Sequence, residues 1–151
     1  MKKDYTRDYI TEAYRLYAAM GQPRHDDIKR EIYNNALMDN NTNPSVAVAH
    51  AEKAVELATP MLLDLLAVER TISLLEHGGK SYIIKAIKAV YFVSPSSPLR
   101  KGDISNRVHR LSIDMPASER SIYQWLREAR LLCASIRGLR IDSKYKHISL
   151  Q

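Results

Sequence analysis

The chain holds a single cysteine among 151 residues, so neither a disulfide framework nor a cysteine-ligated zinc site can organise it. That residue, Cys133, falls on an apolar helical stripe and reads as a small core side chain. Glycine is scarce as well, and no P-loop or dinucleotide-binding fingerprint occurs. No uninterrupted apolar run approaches the roughly 20 residues that a membrane-spanning helix needs. The opening MKKDYTRDY has no apolar stretch behind its lysines, so no secretory signal is expected and the cytoplasm is the default location. The histidines, His25, His50, His77, His109 and His147, are scattered, and none stands in HExxH or ExxH spacing. No serine has a nucleophile-elbow context. Glu52, Glu56 and Glu69 lack a Glu-x-x-His partner and read as surface charges. His25-Asp26-Asp27 invites a metal-hydrolase reading, but acidic residues in a first helical turn are better explained by the helix dipole. No enzyme activity, cofactor or metal is therefore expected.

The second half of the chain is short of acid. Residues 82–151 contain 13 Lys/Arg and 5 Asp/Glu, whereas residues 1–81 contain 10 and 12. The formal net charge of +6 thus belongs wholly to the carboxyl-terminal part. A local cationic surplus releases counterions from a polyanion, which favours nucleic acid as partner.

With 45% apolar and 26% charged residues, the composition is that of a folded domain without repeats or low-complexity tracts. The expected fold is all-α: an N-terminal helical region over 1–78, then a helix-turn-helix unit over 79–151, with room for a short β wing. Residues 3–20 read as a helix with Tyr9, Ala13, Leu16, Tyr17 and Met20 inward and Tyr5 and Tyr14 flanking. A second helix runs to about Met38, with Pro23 in its first turn and Ile28, Ile32, Ala36 and Leu37 inward. Asp39–Asn43 is a turn-rich break. Pro44 opens a third helix, and Thr59-Pro60 marks either a new helix or a kink. The segment 61–75, with Leu62, Leu65, Leu66, Ile72 and Leu75, suits a core centre or a dimer interface. Residues 80–93 form a supporting helix, and Ser94–Pro98 a stiff connector. After Gly138 the periodicity fades. Ile141 and Ile148, flanking DSKYK, fit either two strands of a wing or a frayed tail.

Residues 102–138 carry the strongest signal. Ile104, Val108 and Leu111 recur on one helical face, with Asp103 expected as N-cap. Pro116 interrupts the chain, Ser118 can cap a second helix, and Gly138 can end it. Ile122, Trp125, Leu126, Ala129, Leu132, Cys133 and Ile136 form its apolar stripe. Glu119, Arg120, Tyr123, Gln124, Arg127 and Arg130 lie largely away from that stripe. Arg pairs bidentately with guanine and Gln with adenine, so Arg120 and Gln124 are the base-reading candidates. Ser121, Tyr123 and Arg127 suit the phosphate backbone or adjoining base edges, and Arg130 suits phosphate alone. A solvated basic face and a protein-interaction adaptor, working through the Leu-rich 61–75 segment, are the competing readings.

The run SERSIYQWLREARLLCASIRGL resembles the recognition helix of ArpU/RinA-like phage transcriptional regulators, which are themselves similar to the fourth region of bacterial sigma factors. The resemblance covers about positions 82–139. It implies a late-gene transcriptional activator that binds double-stranded DNA and touches RNA polymerase, with Ser118, Arg120, Ser121, Tyr123, Gln124 and Arg127 on the reading helix. A homodimer would imply paired half-sites. In one respect the chain departs from that pattern: Ser112–Ala117 is longer than a three- or four-residue turn and lacks a turn glycine.

Overall fold

The computed structural model describes residues 4–39 and 43–139. Among them are seven α-helices and no strand: α1 (Tyr5–Ala19), α2 (His25–Met38), α3 (Pro44–Leu57), α4 (Thr59–His77), α5 (Ser81–Tyr91), α6 (Asp103–Asp114) and α7 (Glu119–Arg137). The segments expected to form a wing lie outside the described residues. No helix among the described residues is long and apolar enough to cross a membrane.

Most boundaries follow local chemistry. Asp4 caps α1 by accepting the Arg7 N–H at 2.9 Å, and Asn43 caps α3 by accepting that of Ser45 at 2.9 Å. Thr59-Pro60 begins a new helix, because proline in a first turn forfeits an N–H that has no intrahelical partner anyway. Ala58 both ends α3 and begins α4. Pro23, by contrast, precedes α2, whose N-cap is Arg24.

The core is built around α4, which touches α1, α2, α3, α5 and α7. Leu65 and Val68 of α4 join Ile10 and Tyr14 of α1, Ile83, Ile87 and Val90 of α5, Val108 of α6, and Ile122 and Leu126 of α7. Each fully buried aliphatic side chain contributes about 1.5–3 kcal/mol, so this one cluster binds both halves of the chain. The Leu-rich segment is thus mainly core: Leu62, Leu65 and Leu75 are buried, while Leu63 and Leu74 face outward. In α2 only Ala36 is buried; Ile28, Ile32 and Leu37 are half-buried, since α2 packs mostly against α3.

Two positions on α1 differ from the periodicity. Tyr14 is fully buried instead of flanking the stripe, and Tyr9 is turned outward to donate to the Asp64 carboxylate at 2.8 Å. The inward arc is centred on Ile10, Ala13, Tyr14 and Tyr17, because α4, α5 and α7 all close on that side.

Arg15 is the largest fully buried side chain. Its guanidinium reaches the connector after α5, donating to the carbonyls of Tyr91 (3.1 Å), Val93 (3.2 Å), Ser94 (2.9 Å) and Ser97. A loop with two prolines satisfies few of its own carbonyls, and this one arginine supplies the missing donors. Burial lowers the Arg15 pKa, although Glu12 acts the other way. Arg107 of α6 extends the tie by donating to the Val90 carbonyl at 2.9 Å.

Candidate nucleic-acid interface

The helix α7 begins at a cap. Ser118 has extended backbone angles, and its hydroxyl oxygen accepts the Ser121 N–H at 3.1 Å. The same hydroxyl donates to the Ser121 hydroxyl at 3.0 Å, so the Ser118 O–H is committed to the cap and Ser121 accepts there. At the far end Gly138 adopts φ 83°, a left-handed conformation that other residues rarely adopt, and its N–H closes on Ala134 and Ser135 carbonyls.

The connection into α7 is shorter than the sequence suggests. Helix α6 continues through Asp114, leaving Met115-Pro116-Ala117-Ser118 as a four-residue link. Ser112, Ile113 and Asp114 extend the helix because Pro116 bars it only from the residue just before the proline, and Met115 is extended. The N-cap of α6 is Gly102, at φ 89°, and not Asp103, which occupies the first helical position. The Asp103 carboxylate instead accepts the Arg100 N–H at 2.8 Å, where it also lies in the favourable field of the helix start.

The underside of α7 packs into the core. Ile122, Leu126, Ala129 and Cys133 are fully buried, and Trp125 packs edge-on against Tyr82 with ring centroids 4.9 Å apart. Tyr14 of α1 donates its hydroxyl to the Ala129 carbonyl at 2.7 Å. Burial pushes the Cys133 thiol up to about 11, which keeps it protonated and unreactive. At the C-terminal end the Arg137 guanidinium donates to Asp64 of α4 at 2.7 Å, and that hydrogen bond raises its pKa. Helix α7 is therefore fixed at several points along its length.

Its outer side carries the sequence candidates. Arg120, Gln124 and Arg127 stand at i, i+4 and i+7, which places them on one stripe, and all three are exposed. Tyr123 stands beside them with 42% of its surface exposed. Glu119 lies near His109 of α6, 3.7 Å from its ring nitrogen. Farther along, Glu128 is held by Lys80 at 2.9 Å. Arg130 is placed differently: it is half-buried and donates to the Tyr91 hydroxyl at 2.8 Å. The seven candidates thus divide into an exposed group (Arg120, Tyr123, Gln124, Arg127), a capping pair (Ser118, Ser121) and an inward-turned arginine.

Residues 82–139 contain 10 Lys/Arg and 4 Asp/Glu. Lys85, Lys88, Arg100, Lys101 and Arg110 are exposed. Among the described residues no three His, Cys, Asp or Glu side chains converge as a metal site. His25 pairs with Asp26, at 3.1 Å, at the start of α2.

Sequence reasoning missed Arg15 and the Arg130–Tyr91 contact. Arg15 lies outside the apolar arc of α1, so nothing in its own periodicity marks it as buried. The signal lay in the connector, a proline-containing loop that needs outside donors. Compared with known proteins, the chain matches no family model, no curated protein and no solved structure.

Proposed function

We propose that the chain is a sequence-specific DNA-binding transcriptional regulator of phage or prophage type, reading the major groove with helix 118–137. The observation that carries this reading is the exposed stripe of Arg120, Gln124 and Arg127 over an underside held in the core by Ile122, Leu126, Ala129 and Cys133. A major groove about 12 Å wide admits one α-helix, and residues in its first turns meet base edges. Arg120 and Gln124 then read bases, while Tyr123 and Arg127 meet the sugar-phosphate backbone. Ser118 donates its O–H to Ser121, whereas the Ser121 hydroxyl accepts that bond and keeps its own O–H as a donor for a phosphate oxygen, beside the backbone N–H groups and dipole of the helix start.

Helix α6, a four-residue link and α7 fit the helix-turn-helix order, with α5 as support. The resemblance to ArpU/RinA-like regulators extends the proposal to a mobile-element setting and a contact with RNA polymerase. A homodimer would set its half-sites about one helical turn apart. The second reading, a helical adaptor without DNA binding, has the outward Leu63 and Leu74 in its favour, although most of the Leu-rich segment is core.

Fluorescence anisotropy with labelled random duplex at about 50 and 200 mM salt tests the reading. For 6–10 phosphate contacts the affinity falls by about 10³–10⁵ over that range. Absence of binding at the lower salt, or binding indifferent to salt, contradicts it and favours the adaptor.

A further inference from the structure

Between α1 and α7 lies a cleft of about 460 Å³, within the size range of small-molecule sites. We propose that it binds a small organic anion with an apolar body. Half-buried Leu99 and Ile104 give it accessible apolar surface, backed by Tyr91 and Leu126, which are fully buried behind them. Such a surface suits a ring or short hydrocarbon.

The charge preference comes from Arg130. This half-buried side chain lines the cleft, and its one hydrogen bond among the described residues goes to the Tyr91 hydroxyl. No carboxylate among the described residues pairs with it within 4.0 Å. A guanidinium carries five N–H donors in a planar fork, so most of this fork is open to a carboxylate, sulfonate or phosphate group.

Asp8 and Glu12 on the α1 side decide against a nucleic-acid strand as occupant. They stand one turn apart and both are exposed; Arg7 answers Asp8 only loosely, at 3.8 Å. Their field keeps a run of phosphates from entering the cleft itself, whereas one anionic group held at Arg130 with its apolar part against Leu99 and Ile104 is tolerated. Tyr123 lines the same cleft and also flanks the exposed stripe of α7. An occupant therefore touches the outer side of α7. Any effect on DNA rests on the function proposed above; binding of the anion does not.

The test titrates the full chain with 1-anilinonaphthalene-8-sulfonate and, separately, with N-phenyl-1-naphthylamine, a similar aromatic body without the sulfonate. Arg130→Gln, which keeps a donor for Tyr91, is expected to weaken the sulfonate probe about tenfold and leave the neutral probe unchanged. Glu12→Gln, at an exposed position, is expected to tighten the sulfonate probe. Leu74→Ser, at a distant outward leucine, is expected to change neither. The proposal is overturned if the sulfonate probe does not bind the wild type, binds it and both cleft variants equally, or loses affinity only in Leu74→Ser. Should Arg130→Gln lose its helical circular dichroism, the Glu12→Gln comparison decides alone.

Discussion

The hydroxyl of Tyr14 on α1 donates to the Ala129 carbonyl on α7 across 2.7 Å, joining residues 115 positions apart. The Tyr14 ring stacks on Tyr91 with centroids 5.5 Å apart, so one side chain spans α1, α5 and α7. The amino-terminal helix is thereby part of the platform beneath the exposed stripe.

Replacing Tyr14 with Phe keeps the ring and removes only the hydroxyl. The expected cost is about 1–2 kcal/mol, the range for losing a buried hydrogen bond. Thermal melts followed by circular dichroism check it. An unchanged midpoint would mean that the Ala129 contact adds nothing.

Arg15 sets a larger effect. Arg15→Met removes the guanidinium donor from the carbonyls of Tyr91, Val93, Ser94 and Ser97, of which Ser94 keeps the Ser97 N–H, at an expected cost of roughly 2–4 kcal/mol. Arg15→Lys recovers only part, because one ammonium cannot reproduce a planar fork reaching four acceptors. Urea unfolding measures both. Full recovery by lysine contradicts the geometric argument.

Burial raises the Cys133 thiol from its ordinary value near 9.0 to about 11. In the unfolded chain it loses its proton at lower pH, so its contribution to stability is complete below about pH 9 and lost as pH rises through about 11. Burial raises the Tyr14 phenol too, with the same sign at higher pH. At about pH 8 an aromatic disulfide reagent is expected to label the folded protein slowly and the denatured protein at once. Rapid labelling of the folded chain contradicts the buried placement.

The helix order, the caps Ser118 and Gly138, and the apolar stripe of α7 were legible because each depends on residues within a turn or two of one another. The exposed stripe followed from that apolar stripe by exclusion. Other features depend on distant partners. Tyr14 is buried because three helices close over it, and Arg130 turns inward because the Tyr91 hydroxyl stands beside it. The link before α7 was overestimated because Ile113, an exposed apolar residue, breaks the amphipathic pattern while α6 continues. Local pattern finds helices and their sides; which buried polar groups meet is decided by packing between segments far apart in sequence.

The most direct measurement compares affinity for a duplex enriched by selection with affinity for random duplex, using wild type, Arg120→Ala, Gln124→Ala and Arg127→Ala. The account predicts that Arg120→Ala and Gln124→Ala each lower the specific-to-random ratio by about 5- to 150-fold, the loss of one base-reading pair worth about 1–3 kcal/mol. Arg127→Ala is expected to weaken both duplexes alike. A ratio left intact by Arg120→Ala and Gln124→Ala contradicts it.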